Sequence, residues 1–309
     1  FFSVEPTTCI ATGYAVMDNS DATYKYKVVP AGELPDVAQV NGVGCATFAA
    51  AVNAANSSAA DCEIKLIADC ATSEISINNA NGKVVTLNLN GCTLTASGSV
   101  IFESDGVIEG GSGKIEETGN VPAVLVKNGQ VTINGGTYNS KYSYGTIRGL
   151  NTGADITLNN VTATNATGAV LNTGNTGSGD AATIVVNSGS YTCSGAGIAL
   201  RARSGEITVK GGTFVGSLYA RGGSIKVEGG FFGKGTNGYI LDATYHNMVL
   251  TGGYFADELT WNGGAYTFAN GYELAPSTEY TGYSYHVQPV ASVSAIAPWK
   301  LGSSFQSNL

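Results

Sequence analysis

The sequence predicts an all-β solenoid, a parallel β-helix in which successive strands stack as coils. Three observations favour it: a short strand motif recurs, a glycine turn ends each copy, and an aromatic residue follows the glycine. The copies read QVTINGGTY at 130–138, TIVVNSGSY at 183–191, EITVKGGTF at 206–214, SIKVEGGFF at 224–232 and NMVLTGGYF at 247–255. With a further strand opening at 155, the spacings are 25, 28, 23, 18 and 23 residues. Such periods are typical of solenoids.

Each copy of the motif alternates apolar and polar residues, as Ile207 and Val209 do, so that one face points to a shared interior. The glycine pair predicts a corner that needs a positive φ or a close approach of backbones, which glycine accepts at low cost. The aromatic residues are expected to align from coil to coil as a ladder. They are Tyr138, Tyr191, Phe214, Phe232 and Phe255.

Two other all-β architectures fit the repeats less well. A β-sandwich is built from hairpins with Asn-Gly or Asp-Gly turns, and these dipeptides are few in this chain. Propeller blades repeat at about 40 residues or more, which exceeds the observed spacing.

Composition excludes several classes of protein. Charged residues are 12% of the 309 residues, against roughly a quarter in an average globular domain. Hydrophobic residues are 43%, which argues against a disordered chain, and the 43 glycines follow no three-residue period, which argues against collagen. A turn-rich β protein remains, in which Ser, Thr and Asn provide most of the polar surface.

The charge distribution argues against two kinds of partner. The net charge is −8, and the 15 lysines and arginines form no basic stripe, so nucleic acid is not expected to bind. No apolar run approaches the roughly 20 residues that span a bilayer, so we expect no membrane insertion.

The cysteine pattern argues against a metal site. The six cysteines form no CxxC pair and no cluster with histidine, so we expect neither a bound metal nor a cofactor. An even number of cysteines in a charge-poor chain favours disulfides in an oxidising exterior, with free thiols in the core as the alternative. The disulfide candidates are Cys9, Cys45, Cys62, Cys70, Cys92 and Cys193.

Five segments are predicted along the chain. A strand and hairpin segment (1–45) precedes a helix and linker (46–62), the β-helix proper (63–255), a Tyr-rich C-terminal cap (256–289) and an apolar tail (290–309).

One helix is predicted, over residues 46–56, with Thr47 or a neighbour as its N-cap. An open stack of coils needs its ends covered, and we expect this helix to cap the first coil with one apolar face. The face consists of Phe48, Ala51, Val52 and Ala55. Strands are predicted next at 63–68, 74–78 and, as a longer element, 84–96.

The two ends of the chain resemble each other. Residues 1–28 and 252–287 both contain aromatic residues, then Gly-Tyr, then a Tyr-rich strand that ends in Val. We interpret the N-terminal segment as the tail of a preceding repeat, whose missing strand comes from a longer array or from a neighbouring molecule. Chance similarity between two Tyr-rich hairpins is the alternative.

The order of helix, strand and LNLNG segment points to a family. The segments VAQVNGVGCATFAAAVNAAN (37–56), EIKLIADC (63–70), EISI (74–77) and VVTLNLNGCTLT (84–95), followed by the Gly-Gly-aromatic coils, resemble the pectate-lyase-like right-handed parallel β-helix modules of large bacterial cell-surface proteins. The resemblance covers about 37–287. It implies a right-handed coil and an extracellular, secreted or wall-associated location, and it supplies no catalytic residues. Cysteines at four positions depart from the family's usual pattern, namely Cys45, Cys62, Cys70 and Cys92.

Catalysis is the least favoured function. Hydrolysis of a glycan needs two carboxylates about 5–10 Å apart, and a lyase needs Ca²⁺ carboxylates with a basic residue beside them. Neighbours on a strand such as Glu116 and Glu117 point to opposite faces, and we predict that the chain is not an enzyme. The acidic candidates are Glu103, Asp105, Glu109, Glu116 and Glu117, and the coil arginines are Arg148, Arg201, Arg203 and Arg221.

Binding of a glycan or a host surface is the second function considered. Aromatic and cationic side chains on one exposed face are predicted as a ligand-binding strip, with the covering of coil edges as the structural alternative. The strip consists of Tyr142, Tyr144, Arg148, Arg201, Tyr219 and Arg221.

The favoured function is a structural one. A charge-poor solenoid with exposed ends is expected to associate with copies of itself, end to end, as an extracellular filament or layer. The residues predicted to take part are Phe1, Phe2, Val293, Ile296, Trp299, Leu301 and Phe305.

Overall fold

A computed structural model describes residues 2–3, 10–11, 14–18, 23–30, 33–175, 180–195, 197–236, 238–242, 248–259 and 267–291. Several residues of the predicted assembly and disulfide sets lie outside these ranges. They are Phe1, Cys9, Val293, Ile296, Trp299, Leu301 and Phe305.

The described chain is mostly β, and most of its strands fall into three rows. The first strand row contains β5 (Cys62–Leu66), β8 (Val85–Asn88), β11 (Gly106–Glu117), β13 (Gly129–Ser140), β15 (Ala154–Asn159), β18 (Thr183–Val186), β21 (Glu206–Val209), β24 (Ser224–Val227) and β27 (Met248–Leu250). The second contains β6 (Cys70–Thr72), β9 (Thr93–Ala96), the ends of β11 and β13, β16 (Val161–Asn165), β19 (Gly189–Cys193), β22 (Thr213–Val215), β25 (Phe231–Gly233) and β28 (Tyr254–Phe255). The third contains β7 (Ile75–Ile77), β10 (Val100–Phe102), β12 (Val124–Val126), β14 (Ile147–Gly149), β17 (Ala169–Thr173), β20 (Ile198–Ala202), β23 (Ser217–Ala220) and β26 (Leu241–Asp242).

The remaining described elements lie towards the ends of the chain. They are β1 (Tyr14–Asp18), β2 (Tyr26–Pro30), β3 (Ala38–Val40), β4 (Val43–Cys45), α1 (Phe48–Asn56), β29 (Thr267–Phe268), β30 (Tyr272–Tyr280) and β31 (Tyr283–Pro289).

Within each row, every strand pairs in parallel with the strand of the next coil. Ile64 of β5 is opposite Leu87, which is opposite Ile108, and the same row continues to Leu250 of β27. This large, mostly parallel sheet is compatible with the predicted all-β solenoid. Antiparallel pairs occur at the ends, in β1 with β2, β3 with β4 and β5, and β31 with β28 and β30.

The side chains that alternate inward form ladders in the core, as the sequence predicts. The ring centroids of Tyr191 and Phe214, of Phe214 and Phe232, and of Phe232 and Phe255 are each 5.0 Å apart, with nearly parallel planes. All four rings are fully buried. Ala163 takes the same register position one coil before Tyr191, and this small residue separates the stack from Tyr138, which is opposite Ala163 on its other side.

The glycine corners have the two causes that the sequence predicts. At the corner before β25, a Cβ on Gly229 would lie 2.5 Å from the carbonyl oxygen of Lys210 in the coil below. The next residue, Gly230, has a φ of +106°, a conformation that other L-residues rarely adopt. Close approach therefore requires the first glycine, and backbone conformation requires the second.

The helix is where the sequence places it. Thr47 is the N-cap, and its hydroxyl oxygen accepts a hydrogen bond of 3.1 Å from the backbone N–H of Ala50. The apolar face of α1 belongs to the same buried core as strands β5 and β7. The prediction of one long strand over 84–96 is wrong: Asn90 and Gly91 have positive φ values of 49° and 79°, and this turn separates β8 from β9.

A chain of amide hydrogen bonds runs along the outside of the first strand row. Asn159 donates from Nδ2 to Oδ1 of Asn134, and Asn187 donates in the same way to Asn159, each at 2.8 Å. Asn134 in turn donates to a carboxylate oxygen of Glu109 at 2.8 Å. Stacked amides of this kind join one coil to the next.

No disulfide joins the five described cysteines, which are all free thiols. Cys62 is opposite Val85 and Cys70 is opposite Leu94, so neither has a cysteine as its register partner in the next coil. Burial is the first cause that raises the pKa of Cys70, to about 11. In the described part of the chain, no helix is long and apolar enough to cross a membrane.

Candidate functional site

In the third strand row, polar side chains of successive strands occupy the same register position. We call this line of side chains the file. Arg148 of β14 is opposite Asn172 of β17, Asn172 is opposite Arg201 of β20, and Arg201 is opposite Tyr219 of β23. In the coil before Arg148, the same position is occupied by Leu125. The file therefore changes from apolar to cationic and aromatic part of the way along the stack.

A loop before β14 folds over this file. The carbonyl oxygen of Ser143 accepts a hydrogen bond of 2.9 Å from Nη1 of Arg201, although the two residues are 58 positions apart. On either side of Ser143, the rings of Tyr142 and Tyr144 meet edge to face, with centroids 5.4 Å apart. The loop thus brings two tyrosines onto the arginines.

The arginines lie against tyrosine rings. The guanidinium carbon of Arg203 is 4.6 Å from the centroid of the Tyr144 ring, and that of Arg148 is 5.7 Å from the same centroid. The guanidinium carbon of Arg201 is 5.8 Å from the centroid of the Tyr219 ring. All three distances are within the range of cation–π attraction. We call these residues, with Tyr142 and Asn172, the arginine–tyrosine cluster.

The cluster contains buried polar atoms without a hydrogen-bond partner. Arg148 is only 7% exposed; its Nη2 donates to the carbonyl oxygen of Gly174 at 3.2 Å and to Oδ1 of Asn175, while its Nε has no partner. Asn172 is fully buried, and neither end of its amide has a partner. Unpaired buried polar groups cost about 1–3 kcal/mol each, so their concentration here is unfavourable for folding alone.

The pKa values of the cluster reflect burial and mutual repulsion. Burial is the first cause that lowers the pKa of Arg148 and of Arg201, and the charge of Arg203 lowers both further. A hydrogen bond with Arg203, followed by its charge, lowers the pKa of the Tyr144 hydroxyl. Three positive charges therefore lie close enough to disfavour one another.

In the described part of the chain, neither Arg148 nor Arg201 forms an ion pair with a carboxylate. Lysines elsewhere do pair, as Lys127 does with Glu103 at 3.0 Å. The guanidiniums of Arg148 and Arg201, which have no paired carboxylate among the described residues, can bind an anion, because guanidinium forms paired hydrogen bonds with carboxylate, sulfate or phosphate oxygens.

The structure brings together five of the six residues predicted as a ligand-binding strip, namely Tyr142, Tyr144, Arg148, Arg201 and Tyr219. Arg221 does not belong to the file, because it is exposed in the turn after β23. Arg203 was not predicted as part of the strip. Its spacing of two from Arg201 puts both on one face of an extended chain, and that signal was present in the sequence.

The acidic residues weighed for catalysis make hydrogen bonds and ion pairs within the solenoid. Glu103 pairs with Lys127 and Glu109 accepts from Asn134, and Oδ1 of Asp105 accepts from the backbone N–H of Gln130 at 2.8 Å. Glu117 is 5% exposed whereas the side chain of Glu116 is 45% exposed, so the two point to opposite faces as expected. In the described residues, no group of three or more His, Cys, Asp or Glu side chains is placed to hold a metal ion.

Comparison with known proteins adds no relative: no family model, no curated protein and no solved structure matches the chain.

Proposed function

We propose that the chain is a non-catalytic, extracellular β-solenoid module that binds an acidic carbohydrate at the arginine–tyrosine cluster. The observation that carries the proposal is the packing of three guanidiniums on two tyrosine rings, with no carboxylate paired to Arg148 or Arg201 in the described chain.

The two kinds of side chain in the cluster suit two parts of such a ligand. Tyr144 is 37% exposed, so part of its ring is open to contact with a sugar ring. Arg201 and Arg203 are half-buried at the same surface and present donors for a carboxylate or sulfate group. Arg148 and Asn172 are more deeply buried than these residues.

The overall charge of the chain makes such binding specific to the site. A net charge of −8 repels a polyanion, so the long-range electrostatic field of the whole surface opposes binding. Affinity for an acidic glycan then depends on a local concentration of positive charge, which this cluster provides.

The finer features of the architecture are part of the proposal. We place the chain with the right-handed, pectate-lyase-like β-helix modules of bacterial cell-surface proteins, and hence outside the cell. Burial of the α1 face in the first-coil core supports its role as an N-terminal cap. Antiparallel pairing of β31 with β28 supports β30 and β31 as a Tyr-rich C-terminal cap.

The test is the binding of the purified full chain to defined polysaccharides by calorimetry. We expect saturable binding to a carboxylated polymer, polygalacturonate, or to a sulfated one, heparin, and none to uncharged dextran. Arg201→Gln should weaken binding at least tenfold, about 1.4 kcal/mol. Lys210→Gln removes the same charge from an exposed position immediately after β21 and should leave affinity unchanged.

Two results would overturn the proposal. One is an absence of binding to both acidic polymers by a folded protein. The other is an equal loss of affinity in Arg201→Gln and Lys210→Gln, which would indicate general electrostatic attraction instead of a site.

End-to-end self-association is a second proposed function, and a different observation favours it. The chain carries two similar antiparallel hairpins, one near each end, and in the described part of the chain the C-terminal one packs on the core.

A further inference from the structure

Two hairpins of this chain share one pairing register. The N-terminal hairpin is formed by β1 and β2, and the C-terminal hairpin by β30 and β31. Their second strands end in YKYKVVP (24–30) and YSYHVQP (283–289). The matching pairs are Tyr14 with Pro30 and Val16 with Val28 at the N-terminus, and Tyr272 with Pro289 and Leu274 with Val287 at the C-terminus.

The turns that lead into the two hairpins also match. The backbone N–H of Tyr14 donates to the carbonyl oxygen of Ala11 at 3.1 Å. The backbone N–H of Tyr272 donates to the carbonyl oxygen of Ala269 at 3.0 Å. The likeness therefore extends from sequence to backbone hydrogen bonding.

An aromatic residue from an earlier segment pairs with each hairpin at the same place. Phe255, the end of the last Gly-Gly-aromatic coil, is antiparallel to Tyr285. Phe2 is antiparallel to Tyr26. The distance from the backbone nitrogen of Phe2 to the carbonyl oxygen of Tyr26 is 2.7 Å, and that from the nitrogen of Tyr26 to the oxygen of Phe2 is 2.9 Å. Phe2 therefore occupies the position at the N-terminal hairpin that Phe255 of the terminal coil occupies at the C-terminal hairpin.

The C-terminal hairpin covers the end of the core. Leu274, Tyr272 and Tyr285 pack against the buried core cluster, and Val287 is 6% exposed. This packing shows what the shared hairpin does in the presence of a terminal coil.

The N-terminal hairpin leaves large apolar side chains exposed. Phe2 is 43% exposed, Tyr14 51% and Tyr24 50%, and Val28, the counterpart of the buried Val287, is half-buried. This exposed apolar surface is therefore equivalent to the surface with which the C-terminal hairpin covers the terminal coil.

We propose that the N-terminal hairpin docks on the terminal coil of a second copy of this chain, in place of that copy's C-terminal hairpin. This inference rests on the proposed assembly function and supplies its contact surface. Tyr26 would exchange its pairing with Phe2 for one with Phe255 of the second copy. Lys27 would take the position of His286 over the ring of Tyr254.

Exchange of equivalent elements has a low net cost, because the docking hairpin would pack on the coil in much the same way as the hairpin that it replaces. The surfaces involved are different on the two copies, so each docked copy offers a further hairpin and a further coil. Such a heterologous contact produces a linear chain of subunits instead of a closed dimer.

The first test is the mass of the full chain in solution, measured by sedimentation over a range of concentrations. We expect oligomers whose mass rises with concentration, and a loss of at least tenfold in association constant with Val28→Asp. Lys25→Ser is the matched control: it changes an exposed residue of the same hairpin to the one at the equivalent C-terminal position, Ser284, and should associate normally. A wild-type chain that stays monomeric up to its solubility limit would overturn the proposal.

The second test locates the contact. A photoreactive benzoylphenylalanine introduced in place of Tyr26, which keeps an aromatic ring there, in a mixture of isotopically light and heavy full chains, should cross-link to 254–255 of another copy. Oligomers that persist in Val28→Asp, with cross-links elsewhere, would leave assembly standing and refute the hairpin contact. Cross-links confined to the same chain would refute exchange between copies.

Discussion

The guanidinium carbon of Arg203 lies 4.6 Å from the centroid of the Tyr144 ring. Arg203 also lowers the pKa of the Tyr144 hydroxyl through a hydrogen bond and through its charge. The loop before β14 and the end of β20, two coils apart, are therefore joined by one aromatic ring. Ring and guanidinium hold each other in place at the surface where we propose that an acidic sugar binds.

Tyr144→Ala should weaken binding of an acidic polysaccharide about fivefold, because it removes the exposed ring and the cation–π contacts, each worth about 0.5–1 kcal/mol at such sites. Tyr144→Phe retains the ring and loses only the hydroxyl, so it should weaken binding less. Calorimetric affinities of the two variants check this. Affinities that fall together with thermal stability would instead assign Tyr144 a role in folding alone.

Two tyrosines of the aromatic ladder should respond in opposite ways to loss of the hydroxyl. The Tyr191 hydroxyl donates to the carbonyl oxygen of Ser188 at 2.9 Å, whereas the buried Tyr138 hydroxyl has no partner. Tyr191→Phe should destabilise the fold by about 1 kcal/mol, and Tyr138→Phe should leave stability unchanged or raise it by about 1 kcal/mol. Urea unfolding measures both, and equal destabilisation by the two would contradict the assignment.

The glycine corners give a further prediction. Gly230→Ala should destabilise by about 1–3 kcal/mol, because alanine is strained at a φ of +106°. Gly233→Ala, in the strand that follows, should be tolerated, since the nearest atom to a Cβ there is at an ordinary 3.5 Å. Thermal unfolding of the pair tests the difference; a tolerated Gly230→Ala would show that the corner does not depend on glycine.

The large, mostly parallel sheet was predictable because its strand motif repeats along the sequence. Alternation fixes which residues of a motif such as EITVKGGTF point inward, and parallel stacking then aligns Phe214 with Phe232. The split of 84–96 was missed although Asn90-Gly91 is a turn dipeptide, because apolar and polar residues alternate on both sides of it. Whether two cysteines form a disulfide depends on their geometry in three dimensions, which cysteine spacing does not specify, and the described cysteines are free thiols.

The cluster was only partly predictable for a related reason. Arg148, Arg201 and Tyr219 share one register position, but the coils between them differ in length, so the sequence does not show that they align. The sequence does not reveal which polar residues are buried. Asn172 belongs to a residue type that is usually found at the surface, yet it is fully buried. The unpartnered atoms that favour a ligand are visible only in three dimensions.

Alkaline pH should unfold the chain partly through the C-terminal hairpin. The carboxylate of Glu279 accepts a hydrogen bond of 2.7 Å from the Tyr254 hydroxyl, and this bond is the first cause that raises the pKa of Tyr254 from 10.0 to about 12. Between these values the folded chain binds more protons than the unfolded chain, so stability falls as pH rises. Below about pH 10 the contribution is fully present.

Tyr254→Phe should therefore flatten the loss of thermal stability between about pH 10 and pH 12. Part of the loss should remain, because burial also raises the pKa of Tyr138 and Tyr191 in the core. Glu279→Gln should flatten the same region, since it removes the carboxylate that favours the protonated hydroxyl. Melting curves of the three proteins across this range measure the effect, and identical slopes would show that the Tyr254–Glu279 bond contributes nothing to folding.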